Sequence, residues 1–239
     1  MWIRRFAPAL ALAVAQGAAA STFNISPIRV DLDGLHRMGV LTLSNVDAAP
    51  VVIEMRVVKW SQRDGKDRLD DTRDLLATPP VLQIPAHGEQ IVRVALRHAP
   101  DPELELSYRV IFQEVPQAAP KNFTGLRIAL RLSVPVFVAP AHGHAAPKIA
   151  WAAHWLADGD LEVAATNSGT AHVQITDFDA AVGEAKTPLR AITSKYVLPG
   201  SRIVWDLKAP TDVDRHAAIK IHGHGDQGDI SADVAISGS

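Results

Sequence analysis

The 239-residue chain has no cysteine. That absence excludes thiol catalysis and shows that no disulfide staples the fold. Beyond its first residues, no segment approaches the roughly 18 consecutive apolar residues that mark a membrane helix. The formal charge of −2 supplies no basic field for nucleic acid. No sustained helical period is present, nor any repeat of 20–50 residues. G-x-S-x-G, H-E-x-x-H and phosphate-cradling Gly-rich motifs are all missing. No group of side chains supplies an acid, a base and a nucleophile together. These absences predict a protein that is not an enzyme, carries no cofactor, contacts no nucleic acid and inserts in no membrane.

What is present begins with a leader. Within residues 1–20, Arg4 and Arg5 precede an apolar run from Phe6 to Ala15, with small residues at Ala18 and Ala20. This is the pattern of a cleaved export signal, with Ser21 as the expected mature start. About 219 residues then remain, enough for two domains of roughly 100 residues, each with its own core.

The rest reads as all-β. Residues 23–30, 39–44, 51–59, 81–84, 90–96, 106–112 and 126–138 are short, rich in β-branched residues and punctuated by Gly, Pro, Asp and Asn. Such a series predicts an immunoglobulin-like sandwich over residues 21–140. Pro140, Gly143 and Pro147 mark a linker, and residues 147–239 supply a second set of strands. Tandem Pro79-Pro80 predicts a rigid corner between strands, where a cis bond is unsurprising.

The strongest pattern is Leu126-Arg127-Ile128-Ala129-Leu130-Arg131-Leu132-Ser133-Val134, with an aliphatic residue at every second position. Period two gives a strand with one apolar face. That face either lines the sandwich's own core or is available to another protein. Arg29 and Arg109 fall within predicted strands. Each either snorkels to solvent or faces a groove and grips an anion with its guanidinium fork. His142-Gly143-His144 and His222-Gly223-His224 have the i, i+2 spacing that lets two imidazoles share one metal ion, but both lie in Gly-containing contexts without a further ligand motif. Asp70, Asp71 and Asp74 sit among Arg68 and Arg73, a mixed-charge run that reads as a solvated loop.

Several of these stretches, taken in order, carry a family resemblance. They are Ser26-Pro27-Ile28-Arg29-Val30, Leu41-Thr42-Leu43-Ser44-Asn45, Thr78-Pro79-Pro80, Tyr108 to Pro116 and the strand ending Phe137-Val138-Ala139-Pro140. The chain resembles the periplasmic pilus (fimbrial) chaperones of the chaperone–usher pathway, most strongly over residues 22–140. The resemblance implies two immunoglobulin-like domains set at an angle, a boomerang with a cleft between them. It implies a periplasmic location, pilus subunits as clients and an outer-membrane usher as the recipient. The strand matching the family's donor strand carries Leu126, Ile128, Leu130, Leu132 and Val134. It completes a subunit's unfinished fold by strand addition. Arg29 matches one of two cations that anchor the client's terminal carboxylate. The second is a lysine in the family, but Pro135 stands there, a departure that either leaves the two-cation anchor incomplete or moves the second role to a neighbour such as Arg109. The segment from Gln117 to Gly125 matches the short-loop branch. The resemblance also fits a homodimer that caps its own apolar edge when unloaded. Two other functions remain open at this stage: a periplasmic metal-binding protein using the H-x-H pairs, and an Ig-like structural or adhesin module.

Overall fold

The computed structural model describes residues 23–116, 128–184, 187–210 and 213–234. Among them every regular element is a strand, as expected. The first ten are β1 (Phe23–Ser26), β2 (Val30–Leu32), β3 (Met38–Asn45), β4 (Val51–Arg63), β5 (Lys66–Asp71), β6 (Leu75–Thr78), β7 (Val81–Ile84), β8 (Glu89–Leu96), β9 (Leu106–Glu114) and β10 (Arg131–Val138). They form two sheets ordered β1-β3-β8-β6 and β2-β10-β9-β4-β5, with β7 also paired to β4. Alternation along the strands builds the core between them. Leu41 and Leu43 of β3 and Val92 and Val94 of β8 join Tyr108, Val110 and Phe112 of β9 and Val134, Val136 and Val138 of β10 in one buried cluster.

A second sandwich follows a strandless stretch from Ala139 to Lys148. Its strands are β11 (Ile149–Trp155), β12 (Leu161–Asn167), β13 (Val173–Val182), β14 (Leu189–Val197), β15 (Arg202–Leu207), β16 (Ile219–Gly225) and β17 (Gly228–Val234). Their sheets run β11-β12-β15 and β14-β13-β16-β17 around a separate core that includes Leu161, Ile175, Phe178, Trp205 and Ile221. The strands β11 and β14 are not evident in the sequence. In β11 the inward position is filled by Ala153, and in β14 charged and hydroxyl residues outnumber apolar ones.

Three sequence expectations are corrected. Residues 23–30 form no single strand, because Pro27 has no N–H for a ladder; the Ser26–Pro27 bond is cis. The chain leaves β1, which pairs with β3, and re-enters as β2, which runs parallel to β10 in the opposite sheet. Arg29 therefore lies in the bend between sheets. Residues Asp70 and Asp71 belong to β5, a fully exposed hairpin strand against β4, rather than to a loop. Val134 is 4% exposed and lies opposite Val110, so it serves the chain's own core. The corner at Pro79-Pro80 does hold a cis bond, at Thr78–Pro79.

A repeat invisible in the sequence joins the two sandwiches. Asn45 ends β3 and Asn167 ends β12, and both are buried. The Asn45 side chain donates to the carbonyls of Ala49 and Pro85 and accepts the Asp47 N–H. The Asn167 side chain donates to Ala171 and Val197 and accepts from Gly169. Each amide thus closes the turn that follows its own strand and ties that turn to a second strand. The asparagine and the alanine four residues later are the only residues common to the two turns.

Candidate functional site

The apolar stripe of β10 outruns the sandwich that it begins in. Val138, Val136 and Val134 are buried, Leu132 and Leu130 are half-buried against the rim of the first core, and Ile128 is 51% exposed. Leu126 lies outside the described residues, as does the segment from Gln117 to Gly125. The stripe passes from core to solvent without changing face. Residue parity accounts for this, since even-numbered residues stay on one side of a strand.

The backbone of the same segment has a free edge. On one side β10 pairs with β9 from Arg131 to Val138. On the other, among the described residues, it is paired only by β2, and only from Val136 to Val138. The Glu114 N–H donates to the Leu130 carbonyl. Antiparallel alternation then turns the even-numbered N–H groups toward β9 and those of Arg131 and Ser133 toward the open edge. Pro135 sits where the cover of β2 ends. It has no N–H to leave unsatisfied there, a position that suits proline. An apolar stripe combined with an open edge is what strand addition requires.

Cations flank the buried end of this strand. In the bend before β2, Arg29 Nε donates to Asp31 Oδ2 and Nη1 to Asp226 Oδ2, both at 3.0 Å. Nη2 has no partner among the described residues. Partial burial works against this charge, but the two aspartates outweigh it and raise the Arg29 pKa. Arg109 of β9 lies directly opposite Pro135, so the two side chains project from the same outer face of the sheet. Its guanidinium carbon stands 3.7 Å from the Trp60 ring centroid, and Nη2 is 3.6 Å from Asp67. Desolvation depresses the Arg109 pKa. The Nε atom of Arg109 and Nε1 of Trp60 are buried without a hydrogen-bond partner among the described residues. Tyr196 brings the two cations into relation: burial pushes its phenol up, and Arg29 and Arg109 both pull it down.

Around these charges the two sandwiches meet. Trp60 and Phe137 of the first pack with Tyr196 and Leu198 of the second. Trp60 and Tyr196 meet edge to face at 5.3 Å, a favourable aromatic geometry. Gln62 clamps the second backbone by donating to the Tyr196 carbonyl and accepting the Leu198 N–H. Glu105, just before β9, donates its N–H to the Thr170 carbonyl and accepts the His172 N–H. His172 also stacks on Phe137 at 3.5 Å. Sequence reasoning missed this histidine, because it is a lone residue whose partners Glu105 and Asp226 lie far away along the chain.

The other histidines do not converge. His142 and His144 lie in the strandless stretch, while His222 and His224 lie on β16. His224 Nδ1 pairs with Asp177 at 2.9 Å. Gly223 has a packing reason of its own, because a Cβ there would meet the Asp177 carbonyl and Phe178. Among the described residues no group of three or more His, Asp or Glu side chains is placed to hold a metal ion.

Residues 22–144 match the family described as pili and flagellar-assembly chaperone, PapD N-terminal domain. No curated relative matches the chain in sequence. Among solved structures, a chain of the CsuC-CsuE chaperone-tip adhesion subunit pre-assembly complex, from the archaic chaperone-usher Csu pili of Acinetobacter baumannii, is 21% identical with a TM-score of 0.68. The match covers 91% of this chain and 100% of that one. The E. coli chaperone DraB is 15% identical with a TM-score of 0.60, over 92% of this chain and 99% of that chain. A chain of the Salmonella enterica SafA pilin in complex with the SafB chaperone is 15% identical with a TM-score of 0.61, over 89% and 96%. At these identities the likeness establishes the fold.

Proposed function

The chain belongs to the pili and flagellar-assembly chaperones, and from that premise we propose that it caps pilus subunits in the periplasm by lending them the free edge of β10. Leu126, Ile128, Leu130 and Leu132 enter the subunit's groove, while Val134 stays in the chaperone's own core. Once filled, the groove is handed with its subunit to an outer-membrane usher. The observation that carries this reading is the coincidence on one segment of an open ladder edge and an apolar stripe that continues past its own core. Main-chain bonds supply affinity and the alternate side chains supply register. The printed descriptions of the Csu and Saf relatives, both complexes with subunits, support the same class of client. The N-terminal leader pattern supports export to the periplasm, and an exposed apolar edge supports self-capping as a homodimer when no client is present.

Arg29 and Arg109 are the proposed anchor for the subunit's terminal carboxylate. Support comes from the register: the cation expected at Pro135 is supplied by its cross-strand neighbour, on the same face. Neither cation needs a metal or a nucleotide to act, and nothing in this reading consumes energy.

Ile128 tests the lending face. Its side chain is half exposed in the free protein, so Ile128→Ala leaves folding unchanged. Burial of an aliphatic side chain is worth about 1.5–3 kcal/mol. The substitution should therefore weaken subunit binding about thirtyfold, measured by titration of a purified subunit lacking its last strand. Equal affinity in wild type and variant would remove Ile128 from the interface.

A further inference from the structure

His172 is placed between two carboxylates that belong to different sandwiches. Its Nδ1 is 2.6 Å from Glu105 Oε1 in the first, and its Nε2 is 3.5 Å from Asp226 Oδ2 in the second. Solvent is scarce there: the side chains of His172, Glu105 and Asp226 are 7%, 9% and 18% exposed. The longer contact is a charge–charge interaction rather than a well-formed hydrogen bond, and it leaves Nε2 without a hydrogen-bond partner among the described residues. Asp226 is shared, since its Oδ2 also takes the bond from Arg29 and its Oδ1 takes the Gln174 N–H.

A neutral imidazole has one N–H and can satisfy one carboxylate. Its bare nitrogen would then face the other carboxylate in a desolvated junction, and that arrangement is unfavourable. Only the imidazolium suits both. The groups that face it come from every side: Glu105 ahead of β9, Phe137 on β10, Asp226 in the β16–β17 turn, Tyr196 on β14, and Arg29 with Asp31 through the shared Asp226. We propose that His172 is a proton-operated latch between the two sandwiches, closed when the ring is charged and open when it is neutral. Closed, it fixes the angle between the units. Open, the neutral ring bonds only one of the two carboxylates, Asp226 keeps its bonds from Arg29 and the Gln174 N–H, and the angle is free to vary.

The direction of the pH dependence follows from the neighbours. Burial disfavours the charged ring, but Asp226 and Glu105 outweigh it and raise the His172 pKa above its ordinary value. A raised folded pKa means that the stabilisation is complete below the unfolded value, about pH 6.5, and is lost as pH climbs through the folded midpoint. Between those two points the unfolding equilibrium constant should rise by up to about tenfold per pH unit.

The test needs no client, so its outcome is independent of the proposed function. Because the chain has no cysteine, Ile91→Cys on the first sandwich and Ile192→Cys on the second accept one spin label each; both positions are exposed. Pulsed electron paramagnetic resonance should give a narrow label-to-label distance distribution at low pH and one about twice as wide once the ring is neutral. Proton NMR of the unsubstituted protein should place the His172 midpoint above 6.5. In the doubly labelled His172→Gln protein the distribution should not change with pH. A midpoint at or below 6.5, a wild-type distribution of constant width, or a pH response that survives His172→Gln would each overturn the latch.

Discussion

Arg29→Ala is expected to lower subunit affinity about ten- to hundredfold while leaving the chaperone folded, because the charge-assisted bonding to the client carboxylate from the one guanidinium nitrogen that no aspartate holds, worth about 1.5–3 kcal/mol, is lost. The free protein loses little. Arg29 is over a third exposed and Asp31 more so, and ion pairs of that kind contribute about 0–1 kcal/mol. The aspartates occupy Nε and Nη1, so in the proposed anchor Nη2 is the nitrogen left for the client's carboxylate. Arg29→Lys keeps the charge but not the fork, so it should recover only part of the affinity. Arg109→Ala should weaken binding as well. It should also loosen the junction, since its guanidinium covers Trp60. Binding of a subunit whose carboxylate has been amidated would then be indifferent to Arg29→Ala. Undiminished capture of the intact subunit by Arg29→Ala would remove the anchor.

Asn167→Ala is expected to be the most damaging substitution for stability. Four bonds meet on that buried side chain: its amide donates to the carbonyls of Ala171 at 2.7 Å and Val197 at 3.0 Å, and its oxygen accepts the N–H groups of Gly169 at 2.9 Å and Lys148 at 3.1 Å. Alanine would strand the two buried carbonyls of Ala171 and Val197 and leave the part-buried N–H groups of Gly169 and Lys148 without their acceptor. Each buried unsatisfied group costs about 1–3 kcal/mol, so a total of about 3–5 kcal/mol is expected after local relaxation. For a sandwich of this size that corresponds to a fall in Tm of about 15 °C or more. Calorimetry measures it directly. A change below about 1 kcal/mol would mean that water replaces the side chain without loss, contrary to the role assigned to it.

How much of this could be read from the residues depends on the distance over which each signal acts. Alternation is local, so most strands of the first sandwich and the stripe of β10 were legible from single segments, whereas β5 and β6 were not. Where the stripe stops belonging to the core was not, because burial of Val134 depends on Val110 across the ladder and on the opposite sheet. The break at Pro27 was hidden by apolar residues on both sides of it. Arg29 and Arg109 were visible as cations among aliphatic residues, yet their relation to Pro135 and Tyr196 exists only after the strands pair. His172, Glu105 and Asp226 carried no signal at all. Each is an ordinary polar residue until two separate sandwiches bring them together. The same holds for Asn45 and Asn167, whose shared geometry is written in backbone carbonyls that have no sequence identity.

Amide exchange at two residues tests the lending of β10 most directly. In the free protein, diluted to the monomer, the Arg131 and Ser133 N–H groups point to an edge that no described strand covers, and they should exchange quickly. In the complex with a subunit the same two amides should become strongly protected, because they donate to the subunit's strand. The Leu132 and Val134 amides, already turned toward β9, should change little. If a tight complex forms while Arg131 and Ser133 exchange as fast as before, the subunit is held somewhere else and the account is wrong.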